Sequence, residues 1–334
     1  MKFKQMTFTK TMLRKIITSF ISVLIFFHVP FTYSQQDYPQ RPISLVHGFG
    51  VGGNIDTVAR IVSAPLAQRL EQPISVESKT GAGGIIADTF VSKAKPDGYT
   101  LLMMHGGHAI SAATYKSLPY KPLEDFTPIS MLIQFPFVLT VKADSPFNSL
   151  SDIIAAAKVK PDTITYSTLG PGSTPHLIGE LIQSSAKVKM ISIPYRGGST
   201  PLIDLVGGQF DVMIDSLTVS LPAIKAGKIR AIAVTSPSPW PALLGTPPIA
   251  ATLPGFDVRS WHAIGAPKGL PRPIQDKLAR EIHTVLAMPS VKEKLESTGA
   301  LVRPSSPETM RDEINEQILK WKTVVNDAKI PLLE

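Results

Sequence analysis

Three glycine-bearing turns hold the clearest chemical potential in this sequence. Gly48-Phe49-Gly50-Val51-Gly52-Gly53, Gly81-Ala82-Gly83-Gly84 and Gly170-Pro171-Gly172-Ser173 each stand between an apolar run and a helical pattern. A glycine turn lets backbone approach a ligand closely, because no Cβ intervenes. The helix behind it adds unpaired N–H groups and the positive end of its dipole, which together suit an anion without any cationic side chain. Glycine is also the default residue of tight α/β turns, so each turn alone carries an ordinary structural reading as well.

Other chemistries are weaker. Gly48, Gly50 and Gly53 match G-x-G-x-x-G, and Glu77 ends the next apolar run, as in a dinucleotide site. Against that, Asp56 falls in the first turn of the helix, where its charge repels a pyrophosphate while favouring the dipole. His105 and His108 form H-x-x-H, with His47, His176 and His262 elsewhere, but no H-E-x-x-H, no cysteine and no second ligand pair accompanies them. They read as loop or pocket-wall donors, and no metal is expected. Ser173 and His176 suggest a hydrolase pair, yet no G-x-S-x-G elbow occurs and residues three apart on one helix rarely align a nucleophile with its base. No catalytic residue and no cofactor is expected.

The elements that must position these turns follow from periodicity. Ile43–His47 reads as a buried strand, and Asn54–Leu70 as a helix with Ile55, Val58, Ala59, Val62 and Leu66 at three- and four-residue spacing. Strands are predicted at Ile74–Glu77, Tyr99–Met104, Phe137–Val141, Ile164–Ser167, Met190–Pro194, Phe210–Ile214 and Ile229–Thr235. Helices are predicted after the second glycine turn, at Ile153–Lys158 behind a Ser149 or Ser151 cap, at Pro175–Ser184, at Thr200–Val206 and in the tail from Glu308. Proline-rich Ser236–Pro248 reads as a surface connection. Alternating strand and helix argues for parallel sheets covered on both faces.

Lys2, Lys4, Lys10, Arg14 and Lys15 precede a short apolar run, Ile16–Phe27, and Thr32 and Ser34 supply a small-x-small exit. That is a secretory signal peptide over residues 1–34, too short for a comfortable membrane span. Five of the chain's net +8 charges sit there, so the mature protein is only mildly basic and nucleic acid is excluded as a partner. With no cysteine there is neither a disulfide nor a lipid attachment point, which suits a protein free in the periplasm. The mature length suits two domains.

Over nearly the whole mature chain the sequence resembles the Bug/TctC-type periplasmic solute-binding receptors of tripartite tricarboxylate transporters. The resemblance starts at Tyr38-Pro39-Gln40-Arg41-Pro42-Ile43 and runs through Phe49 with Gly52-Gly53-x-x-Asp56-x-x-Ala59-Arg60, then Gly81-Ala82-Gly83-Gly84 and Pro96-Asp97-Gly98-Tyr99-Thr100-Leu101. It continues at Leu118-Pro119-Tyr120-x-Pro122, Asp125-Phe126-x-Pro128-Ile129 and Tyr166-Ser167-x-x-Gly170-x-Gly172-Ser173-x-x-His176-Leu177. Pro194-Tyr195-Arg196-Gly197-Gly198, Ala226-Gly227-Lys228-Ile229-Arg230-Ala231 and Trp261-x-x-x-Gly265-x-Pro267 complete it. The order and spacing of these segments make it specific.

The resemblance implies an α/β, two-lobed periplasmic-binding-protein fold of type II kind, each lobe a mostly parallel sheet flanked by helices. Lobe I would span 38–138 plus 256–334 and lobe II 139–255. It implies a small organic acid or related amide held in the cleft by two strand-to-helix turns, corresponding to Phe49, Gly50, Val51, Gly52 and Gly53 and to Gly170–Thr174, including Gly172, Ser173 and Thr174. Asp56, His176, Tyr195, Arg196, Gly197 and Asp215 are the further cleft candidates. The implied partners are the transporter's membrane subunits, with the receptor itself a monomer. An exported nucleotide-using enzyme and a ligand-presenting partner of a sensor are the alternatives. The sequence departs from the family pattern at His47-Gly48, usually Val-Pro, at Lys79-Thr80, usually Arg-Pro, and in lacking an arginine within Pro237–Pro241. His47 either lies near the bound anion, tightening binding below neutral pH, or turns inward as a neutral hydrogen-bonded residue.

Overall fold

The computed structural model describes residues 38–196, 199–327 and 330–334. The segment 1–34, read as a signal peptide, and Gly197 lie outside the described residues. In chain order the elements are β1 (Ile43–His47), α1 (Asn54–Leu70), β2 (Ile74–Ser78), α2 (Ile85–Ser92), β3 (Thr100–His105), α3 (Gly106–Thr114), β4 (Phe126–Lys142), α4 (Leu150–Val159) and β5 (Thr165–Thr168). Then come α5 (Thr174–Ala186), β6 (Ile191–Pro194), α6 (Thr200–Val206), β7 (Val212–Ser216), α7 (Leu217–Lys225), β8 (Ile229–Val234), β9 (Arg259–Pro267), α8 (Arg272–Ala287), α9 (Pro289–Ser297), β10 (Leu301–Val302) and α10 (Pro307–Asp327).

The strands run β2-β1-β3-β9-β4-β7-β5-β6, with β8 and β10 also paired to β4. The parallel sheets expected from the sequence are present as two three-stranded groups, β2-β1-β3 and β7-β5-β6. Between them β9 and β4 run antiparallel to their neighbours, so the sheet as a whole is mixed. The sequence reading of β4 caught only its last third, because Pro128 and Pro136 interrupt the run of apolar residues. The strand absorbs both: its pairing with β9 shifts register near Pro128. The first part of β4 pairs with β9, and from Phe137 onward it pairs with β7 and β8. One strand therefore belongs to both halves of the sheet.

Helices form where apolar stripes meet this sheet. α1 buries Ile55, Val58, Ala59, Val62 and Leu66, as the spacing predicts. α4 opens with a capping box in which Ser149 accepts from the Asp152 N–H and the Asp152 carboxylate accepts from the Ser149 N–H. The proline-rich stretch 236–248 is not merely a surface connection: Trp240 is buried on Val138, Leu217, Leu221 and Val234, and its Nε1–H donates to Gly299 O at 2.6 Å. An indole with its N–H satisfied can serve as a core residue. Where the halves meet, Thr235 is fully buried. Its hydroxyl accepts from Phe137 N–H at 2.8 Å and donates to Val258 O at 2.6 Å, tying three crossing segments together.

Candidate functional site

β1, β3, β5 and β7 each end directly at, or a short turn before, the start of a helix. The N-termini of α1, α3, α5 and α7 all reach one chamber, through Gly53 and Asn54, Gly107, Ser173 and Thr174, and Ser216. Beyond the carboxyl ends of parallel strands is where an open α/β sheet binds its ligand. The chamber leaves about 60 Å³ for the centres of water-sized molecules, room for a compact solute and not for a dinucleotide. Among the described residues no lysine or arginine lines it. Its positive potential comes from helix ends, each contributing ~0.3–1 kcal/mol toward an anion, and up to ~2 kcal/mol where partly buried.

The chamber wall is aromatic and carries unmet hydrogen-bonding capacity. Phe49 meets the His105 ring edge-on at a centroid distance of 4.8 Å, and Phe135 lies 4.9 Å from His262 and 5.9 Å from Phe137. His105 and His262 face each other in register across β3 and β9 and are almost wholly buried. His105 Nε2, both His262 ring nitrogens and both polar atoms of the Asn54 amide have no hydrogen-bond partner within the protein. Buried polar groups are rarely left so, and a cluster of them beside a cavity points to a ligand. Burial holds His105 down to about 4 and His262 well below the usual imidazole range, so both are neutral at pH 7. Asp215 also stands in this wall. Its Oδ1 accepts from the Ser216 N–H and hydroxyl, and burial nonetheless pushes its carboxyl up to about 6.

The structure divides the residues named from the sequence. Phe49, Gly53, Ser173, Thr174 and Asp215 line the chamber. Gly170, Tyr195 and Arg196 line a wider neighbouring crevice that shares Phe49, Gly83 and Leu169 with it. Val51 is exposed at the tip of the first turn, and Gly50 and Gly52 are at that tip with it, outside the chamber lining. Gly172 packs on Tyr115 and Leu333, where an added Cβ would fall 2.8 Å and 3.1 Å from their side chains. His176 lies behind the second turn, its Nδ1 accepting from Gly172 N–H at 3.4 Å.

Asp56 lies beneath the first turn rather than in the chamber. Its buried carboxylate accepts Gly52 N–H at 3.0 Å, Arg60 Nε and Nη2 at 2.9 and 3.0 Å, and faces His47 Nε2 at 3.2 Å. Burial favours its neutral form, but the Arg60 fork and the Gly52 N–H outweigh that and hold it below the usual carboxylate range. The G-x-G-x-x-G turn thus closes on the protein's own carboxylate, which removes a donor that a pyrophosphate would require. Several expected backbone donors are taken in the same way: Gly170 N–H by Thr168 Oγ1, and Gly172 N–H by His176. The helix starts are partly committed as well: at α5 Pro175 has no N–H and the His176 N–H donates to Ser173 Oγ, and before α7 the Ser216 N–H donates to Asp215.

His47 adopts the inward placement. Phe49 N–H donates to its Nδ1 at 3.4 Å, which leaves the ring proton on Nε2 toward Asp56. Burial lowers its pKa despite Asp56. Its neighbour Gly48 permits the first turn to touch the Gly81–Gly84 turn, since a Cβ there would sit 2.5 Å from Gly84 Cα. His108 is likewise structural. Its Nδ1 contacts Asp88 at 2.7 Å and its Nε2–H donates to Pro122 O at 2.9 Å, while Tyr120 donates to Asp88 at 2.9 Å. Burial opposes the charge on His108, yet Asp88 raises its pKa.

Asn54, Phe135, Phe137 and Ser216 were missed as wall residues by sequence reasoning, which names His105 and His262 only in general terms as loop or pocket-wall donors. The signal for His105 was present, because Gly106-Gly107 follows a strand just as the named turns do. Among the described residues no group of histidine, cysteine and acidic side chains could hold a metal, and no helix is long and apolar enough to cross a membrane.

Residues 58–330 match the model of the tripartite tricarboxylate transporter family receptor, TctC. The protein BugT of Bordetella pertussis is 33% identical over 298 residues, covering 88% of this chain and 91% of BugT. A solved R. palustris structure with adipate superposes with a TM-score of 0.84 at 34% identity, covering 89% of this chain and all of that one. MatC from Rhodopseudomonas palustris with bound malate gives 0.82 at 35% identity, over 86% of this chain and all of MatC. Helix ends aimed at a chamber between the two parallel strand groups, an aromatic wall and this match along most of the chain lead to one assignment: the chain belongs to the tripartite tricarboxylate transporter receptor family, a two-lobed solute-binding receptor and not an enzyme.

Proposed function

We propose that the protein captures a small carboxylate in the chamber and delivers it to the membrane subunits of a tripartite tricarboxylate-type transporter. The observation that carries this is the convergence of four helix N-termini on a chamber whose described lining holds no lysine or arginine. The adipate and malate bound by the two structural neighbours agree with it. Lobe I is 38–138 plus 256–334 and lobe II 139–255, with the crossing strands β4 and β9 as the hinge. The carboxylate sits between Phe49–Asn54 on one lobe and Gly170–Thr174 on the other, so binding favours closure. The chain works as a periplasmic monomer released by cleavage after Ser34, and mass spectrometry of the periplasmic fraction reads that N-terminus directly.

The function is tested by thermal unfolding and titration calorimetry with small carboxylates and their uncharged amides. An acid at 100 times its dissociation constant stabilises the protein by ~2.7 kcal/mol. Equal stabilisation by the matching amides refutes the anion reading.

A further inference from the structure

The chamber's wall says which class of acid it takes, an inference that rests on the carboxylate reading above. Phe49, Phe135 and Phe137 line it, Phe49 against the His105 ring and Phe135 against the His262 ring at centroid distances of 4.8 and 4.9 Å. Such a wall offers flat apolar area, and aromatic rings pack on one another with offset or edge contacts that aliphatic chains do not reproduce. A second carboxylate finds no favourable place here. No lysine or arginine lines the described wall, and the Asp215 carboxyl group stands within it. His105 and His262, the histidines in this wall, are held neutral by burial and supply no compensating charge. What the wall does offer beyond its rings is neutral hydrogen-bonding capacity, at His262 and Asn54. These two match a ring nitrogen, which accepts, an amino substituent, which donates, or a hydroxyl, which does both.

We propose that the ligand is a small aromatic monocarboxylate, one ring in size, with its carboxylate at the helix N-termini, its ring against Phe49 and Phe135, and any ring heteroatom or polar substituent at His262 and Asn54. Phe49, Phe135 and His262 are then the residues that set specificity. Aliphatic dicarboxylates are disfavoured because their second charge enters an apolar wall beside Asp215.

Titration calorimetry on the full-length mature protein with benzoate, nicotinate, benzamide, adipate and malate tests this. Benzoate or nicotinate is expected to bind at least ten-fold more tightly than adipate or malate, and benzamide weakly. Phe49→Leu, at a partly buried site, is expected to lower aromatic-acid affinity by about three- to tenfold and adipate affinity by a smaller factor. Phe135→Leu gives the same pattern if it folds. Adipate or malate binding as tightly as the aromatic acids overturns the proposal and leaves the carboxylate reading standing. An unchanged aromatic affinity in Phe49→Leu overturns the placement of the ring. Benzamide binding as well as benzoate, or no binding by any of the acids, overturns the carboxylate reading and this proposal with it.

Discussion

Gly52 and Gly172 offer a controlled comparison, because both hold a positive φ, 78° and 75°, and differ only in what surrounds them. An alanine at either site meets the left-handed strain of an L residue, ~1–2 kcal/mol. At Gly52 the new Cβ meets nothing within 4 Å. At Gly172 it meets Tyr115 Cε2 at 2.8 Å and Leu333 Cδ1 at 3.1 Å, residues that the proposed division places in the opposite lobe. The same rim holds Tyr115 Oη donating to Pro171 O at 3.4 Å. With the lobes divided as proposed, that overlap arises only when they close, so it burdens the closed form by ~1–3 kcal/mol, the usual cost of overpacking. Ligand affinity falls by the same amount, about 5- to 150-fold, in Gly172→Ala. In Gly52→Ala the affinity changes little, since the strain is common to the open and closed forms and the Gly52 N–H still reaches Asp56. Thermal unfolding gives the common strain and calorimetry with the best acid gives the difference. Equal affinities in the two folded variants would show that the rim contact has no part in closure.

Three further outcomes follow from the buried charges. Asp215 titrates near 6 when folded against about 3.9 when unfolded, so the wild type loses ~2 kcal/mol of stability as pH rises from 4 to 6. Asp215→Asn escapes this, melting higher than wild type at pH 7.5 and not at pH 4; a constant difference at both refutes the assignment. His47 faces Asp56 and the Phe49 N–H rather than the chamber, and burial lowers its pKa, so His47→Gln leaves the pH 6 to pH 8 ratio of ligand affinity as in wild type. A loss of pH dependence in calorimetry would instead place this ring beside the anion. Replacing His108 by leucine strands the Asp88 carboxylate in the core and costs ~3–5 kcal/mol, read as the shift in urea midpoint at constant slope; a shift near zero removes the ion pair.

Local patterns made the parallel strand groups and most helices legible, because apolar spacing and glycine turns report burial directly. Long-range pairing was not legible. β9 and the first part of β4 owe their existence to each other, and their Ser, His, Pro and Gly residues carry no strand signal alone. The chamber followed the same division. Its anion end was visible in the turns before α1 and α5, which are contiguous sequence. Its wall was not, since Phe135 and His262 lie 127 positions apart and meet only through the β4–β9 ladder. Asp56 was misread for a related reason: a carboxylate one turn into a helix looks equally suited to a cleft or to its own preceding loop, and the Arg60 fork decides for the loop.

The four convergent helix ends have a consequence for how such a receptor can change. A site built on an arginine is lost by one codon change, and is re-tuned by any neighbour that shifts the side chain. Helix termini belong to the main chain, so no single substitution in the wall erases the attraction for an acid. The anchor is written in the architecture and the preference in the lining. Laboratory selection on Phe49, Asn54, Phe135 and His262 can therefore search freely among acids, with every variant that folds keeping a grip on the charged end.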